Sequence, residues 1–180
     1  MVVVNFILVG LLLVILQTTV FMPKLVWLPA PDFYFILVAF LAYRLELLHS
    51  LIILFPLACF LDVLCGTVLG SYALICFGGF FFLKTVAGKL PIRESLYQIP
   101  LIGVAYLVVH WLLYLLLEFL QPGQLVAWSW WQMGMRALLV VTLGYPLFFL
   151  FEKVRKFSLS NYLPWNRLRL RTDNRRRRRA

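Results

Sequence analysis

Long stretches without a charged side chain dominate this sequence and limit what the chain can fold into. Residues 3–22 carry no charge, and a helix needs about 20 mostly apolar residues to cross a bilayer. Hydrophobic types make up 63% of the 180 residues and charged types 13%, whereas a soluble domain carries about 25% charged residues. So much apolar surface cannot be buried inside one small globule, and it has to face lipid.

Breaks containing proline, glycine or charged residues divide the chain into six apolar stretches. Asp32 stands directly before the second stretch, where its side chain can cap the helix that follows. The stretches cover residues 3–22, 33–43, 47–64, a segment ending at Leu83, 99–120 and 133–151. The sequence therefore predicts an all-α polytopic membrane protein of about six transmembrane helices. Residues 1–151 form the transmembrane domain, and residues 152–180 form a basic cytoplasmic tail.

The second to fourth stretches are short, so a count of four or five crossings follows if one of them is re-entrant. The basic residues favour six. With six crossings and the N-terminus inside, only Lys24 and Arg136 of the 17 basic residues fall outside. Cytoplasmic segments carry the excess of Lys and Arg in membrane proteins. We therefore expect a multi-pass membrane protein with both termini cytoplasmic, and we interpret the first stretch as a retained helix rather than a signal peptide.

The sequence contains none of the common nucleophile, phosphate-binding, dinucleotide or zinc-protease motifs. It has two histidines, seven acidic residues and three separate cysteines, which leaves few catalytic or metal-binding combinations. The net charge of +10 comes mostly from residues after the last apolar stretch, so it does not indicate a nucleic-acid surface. We expect no enzymatic activity, no cofactor, no metal and no nucleic-acid partner.

Ionisable residues at membrane depth are costly and are functional candidates by default. Asp32, Asp62, Glu118 and Arg136 all fall in the outer half of the predicted bundle. They form either a polar, outward-facing pocket or partner site, or a set of structural ion pairs, and the second interpretation is favoured. Asp62 is preferred over Glu118 as the partner of Arg136. His110 lies near the middle of the fifth stretch, where a neutral histidine bonded to a neighbouring helix is favoured over a proton relay.

Two further features have competing interpretations. Gly66 and Gly70 form a GxxxG pattern beside a turn, which favours close helix packing and is weak evidence for dimerisation. The tail ends in five arginines, which either bind anionic lipid or an acidic cytoplasmic partner, and lipid is favoured. These are Arg175, Arg176, Arg177, Arg178 and Arg179.

Three stretches together resemble the MreD family of bacterial rod shape-determining proteins. They are Leu-Gln-Thr-Thr-Val-Phe at residues 16–21, Pro-Asp-Phe-Tyr-Phe-Ile-Leu-Val at 31–38, and Leu-Asp-Val-Leu-Cys-Gly-Thr-Val-Leu-Gly at 61–70. The resemblance covers the first half of the chain, and the second half matches in hydropathy alone. The chain departs from the family in lacking glycines between Arg44 and Phe60 and in its long arginine-rich tail.

The resemblance implies a non-enzymatic scaffold of the cell-elongation complex in the bacterial inner (cytoplasmic) membrane, which supports rod shape and peptidoglycan synthesis. Its direct partner would be MreC, with MreB, RodA and a class B penicillin-binding protein reached indirectly. The family is similar in fold to the substrate-binding membrane subunits (S-components) of energy-coupling-factor transporters. The alternative function is therefore a small-molecule (vitamin-like) binding subunit of an importer.

The predicted topology can be tested with single cysteines at Gln124 and Ser160, in a background in which Cys59, Cys65 and Cys76 are replaced. An impermeant thiol reagent added to intact spheroplasts should label position 124 and leave position 160 unlabelled, because the six-helix arrangement puts them on opposite sides. Equal labelling of both positions would rule that arrangement out.

Overall fold

The structure, a computed structural model, describes residues 2–21, 32–65, 70–89, 95–120 and 128–160. These residues form six α-helices and no strand. A π-helical turn at Gln17–Phe21 continues the first helix. The helices are α1 (Val2–Leu16), α2 (Phe33–Arg44), α3 (Leu47–Cys65), α4 (Ser71–Lys89), α5 (Ser95–Leu120) and α6 (Trp130–Ser160).

Five of these helices are long and apolar enough to cross a membrane, which confirms the prediction of an all-helical, multi-pass membrane protein. The exception is α2. Its 12 residues cover about 18 Å at 1.5 Å per residue, against a hydrocarbon core of about 30 Å. The second predicted crossing is therefore too short to span the bilayer as a helix by itself.

Helix α2 lies at the centre of the bundle and packs against each of the other five helices. Ten consecutive residues from Phe33 to Ala42 are buried, because a helix that is apolar all round has to be covered on every side. The outer helices instead expose apolar side chains on one face, such as Leu8 and Leu12 on α1. Lipid is the solvent that suits those faces.

Contacts between helix ends show that the six helices alternate in direction. Gln17 after α1 donates a hydrogen bond to Asp32 before α2, and Asp62 on α3 accepts one from the backbone of Tyr72 on α4. These groups define one end of the bundle, the Asp32 end. At the opposite end, the Lys84 end, the Asn5 amide on α1 donates to Ser158 Oγ on α6 at 3.1 Å. The first turns of α1 and the last turns of α6 therefore lie at the same end.

Basic residues are divided unequally between the two ends. Among the described residues, Arg136 is the one basic residue at the Asp32 end. The six at the Lys84 end are Arg44, Lys84, Lys89, Lys153, Arg155 and Lys156. This division is the one that the sequence predicted for the two faces of the membrane.

The C-terminal carbonyls of α2 receive hydrogen bonds from neighbouring helices. Lys84 Nζ on α4 donates to the carbonyls of Ala42 at 3.1 Å and Leu45 at 2.8 Å. Arg155 on α6 donates to the Arg44 carbonyl at 3.4 Å. The last four carbonyls of a helix have no partner within it, and within a membrane protein there is little water to serve them. Side chains of α4 and α6 therefore substitute for solvent at this helix end.

Three helices are longer than the sequence predicted. Helix α4 continues past Leu83 to Lys89, α5 begins at Ser95 rather than at residue 99, and α6 extends from Trp130 to Ser160 rather than from residue 133 to 151. The backbone hydrogen bonds of a helix can continue where its side chains become polar. On α6, Glu152 and Arg155 form a 2.7 Å ion pair one turn apart, which stabilises this polar part of the helix. Residues 152–160 of the predicted tail are therefore helical, while the arginine run lies outside the described residues.

Small residues allow close helix contacts, at positions that differ from the predicted GxxxG. A Cβ atom added at Gly79 would lie 2.8 Å from the Phe35 ring, and one at Gly103 would lie 2.6 Å from Val141. Gly70 has no atom within 4 Å of such a Cβ, and its φ of +94° is the left-handed conformation that suits a turn. Gly70 thus starts α4 rather than packing helices, and Gly66 lies outside the described residues.

The adjacent pair Gly78 and Gly79 provides a matched test of this packing. Gly79→Ala should destabilise the protein by about 1–3 kcal/mol, the usual cost of overpacking a filled core, because the buried Phe35 ring cannot move away. Gly78→Ala should stay within about 1 kcal/mol of the parent, since its new Cβ would meet Val109 at 3.9 Å. Thermal unfolding of both variants in detergent gives the comparison, and equal shifts would contradict it.

Candidate functional site

The ionisable residues singled out from the sequence lie at one end of the bundle. Asp32 precedes α2, Asp62 is in the last turn of α3, and Arg136 is in the second turn of α6. His110 and Glu118 lie in the C-terminal part of α5. The alternating helix directions bring all five to the Asp32 end, although they are spread over more than a hundred residues of sequence.

Asp32 is buried, and both of its carboxylate oxygens accept hydrogen bonds from other helices. Gln17 Nε2 donates to Oδ1 at 3.1 Å, and the Tyr106 hydroxyl donates to Oδ2. Asp32 occupies the N-cap position of α2, but its side chain makes no capping hydrogen bond. The capping role that the sequence predicted is therefore wrong, because the carboxylate turns across the bundle to α1 and α5.

Arg136 is connected to Asp32 through a tyrosine. Its side chain hydrogen-bonds the Tyr106 hydroxyl, which itself donates to Asp32. The sequence favoured Asp62 as the partner of Arg136, and the structure assigns Asp62 a different task. Its Oδ1 accepts a 2.9 Å hydrogen bond from the backbone N–H of Tyr72, in the first turn of α4. A carboxylate at a helix N-terminus is favourable because it meets unpaired N–H groups and the positive end of the dipole.

His110 joins α5 to α2. Its Nδ1 lies 2.9 Å from the Tyr106 carbonyl oxygen, which can only accept a hydrogen bond, so Nδ1 carries the proton. In the neutral ring Nε2 is then an acceptor, and the Tyr34 hydroxyl donates to it over a long 3.5 Å. The sequence favoured an interhelical bond of a neutral histidine over a proton relay, and that choice stays a prediction.

The linked side chains form a polar network that we define as Gln17, Asp32, Tyr34, Tyr106, His110 and Arg136. It joins α1, α2, α5 and α6 at the Asp32 end. The Tyr72 ring on α4 packs edge-on against Tyr34 with ring centroids 5.6 Å apart, so α4 also contacts the network. Asp62 on α3 accepts a hydrogen bond from the Tyr72 backbone N–H, which connects α3 to the same group of helices.

Sequence reasoning missed the uncharged members of the network: Gln17, Tyr34 and Tyr106. Each is a hydrogen-bonding side chain inside a stretch otherwise rich in apolar residues. Buried hydroxyl and amide groups need partners, so a search for such residues opposite a buried carboxylate could have found them. That search requires the rotation of each helix about its axis, which one sequence does not supply.

The described residues contain no group of three or more His, Cys, Asp or Glu placed to hold a metal ion. In the network, the Asp32 carboxylate and the Tyr34 and Tyr106 hydroxyls are bonded to other members, and both tyrosines are fully buried. Glu118 lies two turns beyond His110 and has an interaction of its own. What this arrangement does is fix the relative positions of the helices at the Asp32 end.

A double-mutant cycle distinguishes the two carboxylates as partners of Arg136. Asp32→Asn and Arg136→Gln should be coupled by about 0.5–3 kcal/mol in unfolding free energy, because residues of one network do not act independently. Asp62→Asn with Arg136→Gln is the matched control and should be additive within about 0.5 kcal/mol. Denaturant or thermal unfolding in detergent measures both cycles.

Tyr106→Phe removes the connecting hydroxyl and should abolish most of the coupling between Asp32 and Arg136. If the coupling survives this change, the two charges interact without the tyrosine. If the Asp62 cycle shows the larger coupling, the assignment made from the sequence is correct and the structural one is not.

Comparison of the chain with models of protein families, with curated proteins and with solved structures found no match in any of the three.

Proposed function

We propose that this chain is a non-enzymatic membrane scaffold of the bacterial cell-elongation complex, which binds MreC and through it MreB, RodA and a class B penicillin-binding protein. The proposal carries forward the resemblance of three sequence stretches to the MreD family. It includes an inner-membrane location, a sixth crossing made by α2 and its flanking residues, and the fold of an energy-coupling-factor S-component.

The observation that carries the proposal is the convergence of those three stretches. Gln17 belongs to the first stretch, Asp32 and Tyr34 to the second, and Asp62 to the third. Gln17 donates to Asp32, and Tyr34 contacts the Tyr72 ring next to the backbone group that Asp62 caps. Residues from the three stretches thus lie at the same end of the bundle, which supports treating the stretches as parts of one motif.

At Asp32, Tyr34 and Tyr106, the bonding of the polar groups favours a scaffold over a small-molecule binding subunit. A ligand pocket needs several polar groups that converge on open space. In the network, Asp32 has both carboxylate oxygens occupied, and the Tyr34 and Tyr106 hydroxyls are buried and bonded to neighbouring helices. Such a network rigidifies the bundle, and a rigid bundle with exposed apolar faces suits a protein that holds partners.

The distribution of charge supports cytoplasmic termini. Six of the seven basic residues in the described part of the chain lie at the Lys84 end, where α1 begins and α6 ends. Basic residues accumulate on the cytoplasmic side of inner-membrane proteins. The Lys84 end would then face the cytoplasm and the Asp32 end the opposite side.

Affinity purification tests the proposed partner. The tagged full-length chain, extracted in mild detergent, should recover MreC, together with smaller amounts of RodA and the penicillin-binding protein. Depletion of MreC should remove the latter two from the eluate, because they are reached through it. Replacement of Arg175, Arg176, Arg177, Arg178 and Arg179 by Gln should leave MreC recovery unchanged, since the tail is expected to bind lipid.

Recovery of a transporter ATPase module in place of MreC would support the importer alternative and overturn the scaffold. Loss of MreC after neutralisation of the tail, with normal membrane insertion, would assign the arginines to protein binding. In the bacterium itself, depletion of the chain should turn rods into rounded cells. Retained rod shape after complete depletion would contradict the proposed function.

A further inference from the structure

A cleft of about 330 Å³ lies between α5 and α6 at the Asp32 end, beside the polar network. Its walls include Leu113 and Leu117 on α5 and Met133 on α6, and polar side chains are interspersed among them. The polar members are His110, Tyr114, Trp128, Ser129, Gln132 and Arg136. The cleft therefore combines apolar walls with a concentration of hydrogen-bond donors.

Two of these donors are incompletely used. Arg136 Nε and Trp128 Nε1 are buried nitrogen atoms with no hydrogen-bond partner among the described residues. A buried donor without an acceptor costs free energy, so such groups indicate where an acceptor can bind. Arginine presents its N–H groups in a planar fork that fits the oxygens of a phosphate or carboxylate.

Arg136 is the group at the cleft that can attract an anion. It is the one basic residue at this end of the described chain, which also holds Asp32, Asp62 and Glu118. It reaches Asp32 through Tyr106. Its Nε donor has no partner among the described residues, and a phosphate oxygen can fill that position.

The position of the cleft favours a lipid over a soluble anion. Trp130 and Trp131 are exposed at the start of α6, where indole rings mark the level of the lipid head groups. Arg136 lies five residues beyond Trp131, or about 8 Å deeper along the helix. On the α5 wall of the cleft, Leu113 and Leu117 lie beside these polar groups. A head group at Arg136 would thus have room for its chain along apolar side chains.

We propose that the α5–α6 cleft binds the phosphate head group of an anionic membrane lipid. Arg136 binds the phosphate oxygens, while the Trp128 indole N–H and the Gln132 amide donate to the head group. One acyl chain packs on Leu113 and Leu117. The side chains named for this site belong to α5, α6 and the residues just before α6, and the site does not depend on the scaffold function.

Native mass spectrometry of the full-length protein in detergent tests the site with phosphatidylglycerol and phosphatidylcholine as probes. The parent should bind the first phosphatidylglycerol molecule more tightly than phosphatidylcholine. Arg136→Gln should weaken phosphatidylglycerol binding about tenfold, as expected for loss of a charged hydrogen-bonding partner. Arg44→Gln is the matched control, because Arg44 is exposed at the opposite end of the bundle. It should leave binding unchanged, and the tail is the same in every variant.

Two milder variants keep the test decisive if Arg136→Gln fails to fold. Trp128→Phe retains an aromatic ring beside Tyr114, whose centroid lies 5.2 Å away, and removes only the indole donor. Gln132→Leu removes an exposed amide from the cleft. Each should weaken phosphatidylglycerol binding severalfold while leaving the melting temperature near that of the parent.

Three outcomes would overturn the proposal. Binding that is the same in the parent and in all three cleft variants would show that the lipid binds elsewhere. Equal losses of phosphatidylglycerol binding in Arg136→Gln and Arg44→Gln would show that the effect comes from the total positive charge of the protein and not from the cleft. Displacement of phosphatidylglycerol by excess inorganic phosphate would show that the site recognises a soluble anion rather than a lipid.

Discussion

The rest of the structure depends on how the two ends of the buried helix α2 are satisfied. A helix leaves unpaired N–H groups at its start and unpaired carbonyls at its end, and at membrane depth water cannot serve them. Lys84 donates to two of the terminal carbonyls and Arg155 to a third. At the other end, the Asp32 carboxylate makes no capping hydrogen bond to α2 and is held by Gln17 and Tyr106. The helices that surround α2 therefore provide its apolar cover, the partners of its C-terminal carbonyls and the anchors of the residue at its start.

This constraint also explains why polar residues are distributed as they are. The middle of α2 is apolar and buried against all five neighbours, so its packing could be satisfied by many rotations and shifts along its axis. The hydrogen bonds at the two ends of α2 are directional, so they fix one rotation and one axial position of the helix. Lys84 sets the height of α4 relative to α2, and the chain from Arg136 through Tyr106 to Asp32 sets that of α5 and α6. The close contact of Gly79 with Phe35 adds a steric limit on the same helix.

The sequence was sufficient to predict the helices that face lipid, but not the hydrogen-bond partners inside the bundle. Apolar length identified five spans, because crossing a bilayer requires a nearly fixed number of residues. The same criterion wrongly counted α2 as an independent span, because an apolar stretch can face protein as well as lipid. Asp62 and Asp32 both stand at helix ends near the same face, and choosing between them as partner of Arg136 needs helix rotations that hydropathy does not encode. Tyr106 was missed because it carries no charge. The C-terminal ends of α4 and α6 were predicted too early because the first polar residues were taken as the end of each helix.

The shortness of α2 has a consequence for how the protein is made. A 12-residue apolar segment is below the length at which a helix is held in the bilayer by its own hydrophobicity. During synthesis, α2 emerges before α4, α5 and α6, which supply Lys84, Tyr106 and Arg155 to its ends. The hydrogen-bond partners at both ends of α2 are therefore complete only after the last helix of the bundle has been made.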